Sequence, residues 1–127
     1  MSPRFIQHVG LTIADTRQGT SVLTLRVEPH HLNGNGVVHG GALFTLADTA
    51  MGSALMSALP ATERCATVDA RITYLRAVRQ GTVVCTAQLI HREADVAHLE
   101  AVMVVEGVEV ARATGVFAVM GSVGALE

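Results

Sequence analysis

At 127 residues, half of them hydrophobic, the chain is long enough for one domain with a real core. A net charge of −2 and only four aromatic side chains give neither the basic footprint nor the stacking platform of a nucleic-acid binder. No apolar run reaches the roughly 20 residues that span a bilayer, and Met1 to Gln7 carries no secretory signal pattern, so a soluble, cytoplasmic protein without a membrane partner is expected.

In chain order, residues 8 to 16 alternate weakly as a first strand, and Arg17-Gln18-Gly19 turns into Ser21 to Glu28. There Leu23, Leu25 and Val27 share one face, and Val22, Thr24, Arg26 and Glu28 the other, the pattern of a half-buried strand. Pro29 ends it, and a loop follows with Asn33, Gly34, Asn35 and Gly36 in succession. From Gly40 to about Ala58 the spacing predicts a helix. Leu43, Leu46, Ala47, Ala50, Met51, Ala54 and Leu55 lie almost all round its wheel, so protein should surround it.

Beyond Pro60, four long strands are expected: Cys65 to Val78, Thr82 to about His91, Val96 to Val105, and Glu109 to Met120, with turns at Arg79-Gln80-Gly81 and Glu106-Gly107. In the first of them Val68, Ala70, Ile72 and Tyr74 alternate with Thr67, Asp69, Arg71 and Thr73. The expected fold is α+β, a single domain over residues 1–127 in which a curved antiparallel sheet, ending in a four-stranded meander, wraps one central helix.

The chemistry should gather where the glycine-rich loop enters the helix. A helix N-terminus presents free N–H groups and the positive end of the dipole, and Gly40 lets a substrate carbonyl approach that backbone closely. Asp48, a carboxylate inside an apolar helix, has a large desolvation cost unless hydrogen-bonded or functional, and Thr45, Thr49 or partner-chain groups are its expected donors. It could act as a nucleophile or as a general base on water. Asp48 lies eight positions after Gly40, about 12 Å along a helix axis, so one chain cannot easily bring both to one carbonyl, whereas an antiparallel partner helix can. On residue type alone Asn33 could be a turn residue, His39 a cap, and Thr67 an ordinary strand threonine.

Asn33-x-x-Gly36-x-x-His39-Gly40-Gly41, then Leu46-Ala47-Asp48, Thr67-Val68-Asp69 and Tyr74-Leu75-Arg76, together resemble the PaaI-type (phenylacetate-pathway) hotdog-fold acyl-CoA thioesterases over essentially the whole chain. The resemblance implies hydrolysis of acyl-CoA to free acid and coenzyme A without a cofactor. It also implies dimers whose sheets join edge to edge with antiparallel helices, and which often pair again into tetramers. It places Asn33 beside the partner's aspartate, gives His39 to the loop or the thioester, and gives the Thr67 hydroxyl to the water or leaving sulfur. The acyl group would lie among Phe44, Met51, Leu55 and Met56, with phenylacetyl-like groups favoured. Two departures from the family pattern, Ala77 after Arg76 and a turn reading Arg92-Glu93-Ala94-Asp95, leave the coenzyme A phosphates open among Arg76, Arg79 and Arg92. An acyl-CoA sensor, or a hydratase or dehydratase built on His39 and Asp48, are the competing readings. The histidines show no metal-ligand spacing.

Overall fold

The computed structural model describes residues 4–121; Met1 to Pro3 and residues 122–127 of the expected domain lie outside the described residues. The elements run α1 (Arg4–Val9), β1 (Leu11–Arg17), β2 (Thr20–Arg26), a 3-10 turn (Pro29–His31), α2 (Gly40–Met56), β3 (Arg64–Tyr74), β4 (Thr82–Glu93), β5 (Val96–Val105) and β6 (Val108–Met120). The residues expected to start a strand at His8 instead close α1, whose last turn ends at Gly10, and β1 begins only at Leu11. Among the described residues no helix is long and apolar enough to cross a membrane.

The six strands form one antiparallel sheet in the order β1-β2-β4-β5-β6-β3. Only β4, β5 and β6 make a meander. The expectation of a four-stranded one fails because β3 pairs with β6, from Arg64 opposite Met120 to Tyr74 opposite Ala111, and not with β4. Residues 75 to 81 then carry the chain across to β4, so the strand expected to reach Val78 stops at Tyr74.

Side chains that alternate along the strands build the core. Leu23 and Leu25 of β2, Val83, Cys85 and Ala87 of β4, and Leu99, Ala101 and Met103 of β5 are all buried on the concave face against α2. From α2, Leu43, Leu46, Ala47, Ala50, Met51, Ala54 and Leu55 complete it, as their spacing predicts. Buried Ser21 on this face is matched, since its hydroxyl donates to the Ala50 carbonyl at 2.6 Å. Register shifts in four strand pairs bend the sheet around the helix.

One of these bulges changes a face assignment. Thr67 stands opposite Phe117 and Asp69 opposite Val116, so Val68 is the extra residue and is 66% exposed. Past the bulge the alternation shifts by one. Cys65 and Thr67 therefore share the inner face with Ala70, Ile72 and Tyr74, whereas strict alternation sets Thr67 against Tyr74.

Candidate active site

Three local structures converge at the start of α2. The loop before it is folded by Asn33, whose side-chain oxygen accepts from the N–H groups of Asn35 at 2.9 Å and Val37 at 3.3 Å, while its own N–H donates to the Val37 carbonyl. His39 caps the helix: its Nδ1 accepts from Gly41 N–H at 2.8 Å. That bond assigns neutral His39 the tautomer with its proton on Nε2. Gly40 N–H has no acceptor among the described residues. It is one of the orphan donors a helix start leaves open.

Tyr74, whose role residue spacing did not reveal, reaches this point from β3. Its hydroxyl donates to the Gly40 carbonyl at 2.8 Å, and a Cβ built on Gly40 would stand 3.0 Å from that hydroxyl oxygen and 3.1 Å from Cζ. A side chain here would make the ring of Tyr74, itself half exposed, give by a few tenths of an ångström. Partial burial pushes the phenol pKa above its ordinary value. Gly40, Tyr74, Val38 and Leu43 border a cavity of about 350 Å³.

Two turns further on, Asp48 lies half-buried in the other part of the site. Thr67 Oγ1 donates to its Oδ1 at 2.7 Å. The donors expected from the helix itself do not act: Thr45 gives its hydroxyl to the Gly41 carbonyl, and no bond joins Thr49 to the carboxylate. Beside it the Cys65 thiol is held above its ordinary pKa, first by burial and then by the Asp48 charge. Asp48, Thr67, Gly52, Met56 and Phe117 line a second cleft of about 370 Å³, which Ile6 of α1 borders. This cleft corrects one expectation: of the four acyl-lining candidates Met51 and Leu55 are fully buried in the core, leaving Met56 in the cleft and Phe44 at the surface.

The structure therefore joins Thr67 to Asp48 and places His39 and Tyr74 at Gly40, but opens the Gly40 and Asp48 parts onto different cavities. Asn33 bonds only within its own loop among the described residues. Among these residues no three His, Cys, Asp or Glu side chains are grouped to hold a metal ion.

The model of the thioesterase superfamily matches residues 35–112, which include Gly40, Asp48, Thr67 and Tyr74. The acyl-coenzyme A thioesterase PaaI of Escherichia coli is 38% identical over 86 residues, 66% of this chain, and the chain spans about 59% of the length of the curated relatives it matches. A conserved protein of Pseudomonas aeruginosa superposes with a TM-score of 0.91 at 33% identity, over 94% of this chain and 96% of that one. A hypothetical thioesterase of Streptococcus pneumoniae, crystallised with coenzyme A, superposes with a TM-score of 0.82 at 27% identity, covering 89% of this chain and 88% of that one. With a hotdog sheet wrapped around one helix and the motif residues on it, the chain belongs to the thioesterase superfamily and is PaaI-like within it.

Proposed function

We propose that the protein hydrolyses an acyl-CoA thioester to the free acid and coenzyme A, with Asp48 as the base or nucleophile and Gly40 N–H polarising the carbonyl. The observation that carries this reading is the Thr67–Asp48 hydrogen bond. It fixes one carboxylate oxygen at 2.7 Å and leaves the other without a protein partner among the described residues, on a residue that lines a cleft of about 370 Å³. A carboxylate held this way by a neighbouring strand is oriented for work.

Acting as a base, Asp48 takes a proton from a water as its oxygen adds to the thioester carbon. The carbonyl oxygen gains negative charge against Gly40 N–H, where a helix dipole and an unpaired donor are already in place. Collapse of the tetrahedral intermediate breaks the C–S bond, and the proton on Asp48 passes to the leaving sulfur. Attack by Asp48 itself would give a mixed anhydride, which water then cleaves. His39 and Asn33 hold the loop that presents Gly40.

Because the two parts face different cavities, the working site joins Gly40 of one protomer to the partner's carboxylate. The edge strand β3, unpaired on its outer side and bearing Val68, is where two sheets would meet, as a homodimer or a pair of dimers. The hydratase reading needs a histidine paired with an acid. His39 Nδ1 is instead occupied by Gly41 N–H. A cytoplasmic place and a phenylacetyl-like acyl group follow from the PaaI likeness. Free-thiol release from phenylacetyl-, benzoyl- and straight-chain acyl-CoAs tests the reading. Tight acyl-CoA binding without thiol release would make the protein a sensor.

A further inference from the structure

Two polar side chains are buried among the described residues, Ser21 and His31. His31 is 4% exposed, and both of its ring nitrogens are engaged: Nδ1 accepts from Glu28 N–H at 2.9 Å, and Nε2 lies 2.6 Å from the Val9 carbonyl oxygen. Because Nδ1 receives a proton, the ring is the neutral tautomer that carries its own proton on Nε2 and donates it to Val9. The backbone carbonyl of the same residue accepts His39 N–H at 2.8 Å. His31 thus joins three segments, which are the end of α1, the chain leaving β2 and the cap of α2.

Each of these joints bears on the candidate site. The Asn33 loop closes on itself, through the Leu32–Val38 bridge and the bond from Asn33 N–H to the Val37 carbonyl, so its place in the molecule depends on what holds its base. His31 holds one side of that base, and the Val78 carbonyl, which accepts Val38 N–H at 2.7 Å, holds the other. Helix α1 has no buried residue, and the Val9–His31 bond is the one hydrogen bond it makes to a side chain among the described residues. Between α1 and the first turns of α2 lies a cavity of about 570 Å³, bordered by Phe5 and His8 on one side and Gly41 and Thr45 on the other. Ile6, on the same short helix, borders the Asp48 cleft.

We propose that His31 is a positioning residue with two separable tasks: its Nδ1 bond holds the turn that sets the His39 cap and Gly40 N–H, and its Nε2 bond holds α1 so that Ile6 discriminates among acyl groups at the Asp48 cleft. This assignment rests on the thioesterase reading. Neutral imidazole suits both tasks, because one rigid ring offers an acceptor and a donor that point in different directions. Burial keeps water from competing for either bond.

Two conservative variants separate the tasks. In His31→Asn the side-chain oxygen stands near the place of Nδ1 and still accepts from Glu28 N–H, but no donor reaches Val9; in His31→Gln the side-chain amide nitrogen stands near the place of Nε2 and still donates to Val9, but Glu28 N–H loses its acceptor. The test measures thiol release from phenylacetyl-CoA and a short straight-chain acyl-CoA, together with amide hydrogen exchange. His31→Gln should lower kcat on the order of tenfold for both substrates and speed exchange in residues 33–41, with the ratio of the two KM values as in the native protein. His31→Asn should keep kcat, change that ratio on the order of tenfold and speed exchange in residues 4–10, and Ile6→Ala should change the ratio in the same direction. His30→Asn, which removes the exposed ring 4.1 Å from that of His31, should alter none of these. Indistinguishable effects of the two His31 variants, no effect of either, or an equal effect of His30→Asn overturns the assignment. An unchanged ratio in Ile6→Ala overturns the task given to α1, and does so even where a His31 variant fails to fold. If native protein releases no thiol from either substrate, the hydrolase reading fails by itself. Exchange then decides the positioning: faster exchange of residues 4–10 confined to His31→Asn and of residues 33–41 confined to His31→Gln supports it, and the same pattern in both variants overturns it.

Discussion

Thr67 Oγ1 lies 2.7 Å from Asp48 Oδ1, a contact between the third strand and the middle of the central helix that exists because a single extra residue, Val68, turns the strand face over. A hydrogen bond to a charged group contributes about 1.5–3 kcal/mol. If the bond orients the carboxylate for attack, Thr67→Ala should lower kcat about tenfold or more with KM little changed, and Thr67→Ser should recover most of it. Steady-state kinetics on the two variants checks this. Equal activity of Thr67→Ala and native protein would show that the bond is structural only.

Gly40→Ala brings a methyl group to 3.0 Å from the Tyr74 hydroxyl oxygen, so the ring must give by a few tenths of an ångström and its bond to the Gly40 carbonyl is disturbed. The variant should lose both activity and stability, the latter by about 1–3 kcal/mol. The clash belongs to one pair, so the same substitution in a Tyr74→Ala background should be milder. A double-mutant cycle by denaturant unfolding measures the coupling. Additive losses would mean that Tyr74 does not explain the glycine.

A methyl group at Gly115 would lie 2.8 Å from Phe117 Cε1 and 3.0 Å from Met51 Cε. Phe117 is 2% exposed and Met51 fully buried, so neither can swing into solvent. Gly115→Ala should destabilise the fold by about 1–3 kcal/mol, seen as a lower denaturant midpoint with the same m-value. Because Phe117 also lines the Asp48 cleft, relative rates among acyl groups should shift in this variant.

Burial pushes the Cys85 thiol up to about 12 from an ordinary value of 9.0. Its folded pKa is raised above the unfolded one, so the stability it contributes is fully present below about pH 9 and declines as pH rises toward 12. Cys85→Val removes the titration while keeping an apolar side chain. Denaturant melts from pH 8 to 11 should show a shallower alkaline loss of stability in the variant, and equal slopes would assign the alkaline sensitivity elsewhere.

Helix α2 was legible in the sequence because its buried positions are aliphatic and its start is marked by His39, Gly40 and Gly41. Strand β5 was legible to its ends, although Leu99, Ala101, Met103 and Val105 alternate less cleanly in residue type than in burial. Pairing of β3 with β6 was not, since alternation tells which face a residue takes but not which strand lies beside it. Nor was the bulge at Val68, which looks like any other inward valine until the partner strand is known. Short α1 has no buried residue and so left no periodic trace. Asp48 stood out by its charge among apolar neighbours, whereas its donor, Thr67, lies 19 residues away and became visible only when strand and helix were packed together.

The central claim is that Asp48 carries thioester hydrolysis, and thiol release from an acyl-CoA panel by native protein, Asp48→Asn and Asp48→Ala tests it most directly. The expected result is a clear activity in the native protein that falls by about 10²–10⁴ in both variants, with unchanged circular dichroism and unchanged assembly size. Full activity in Asp48→Asn, folded and assembled as the native protein is, would contradict the account.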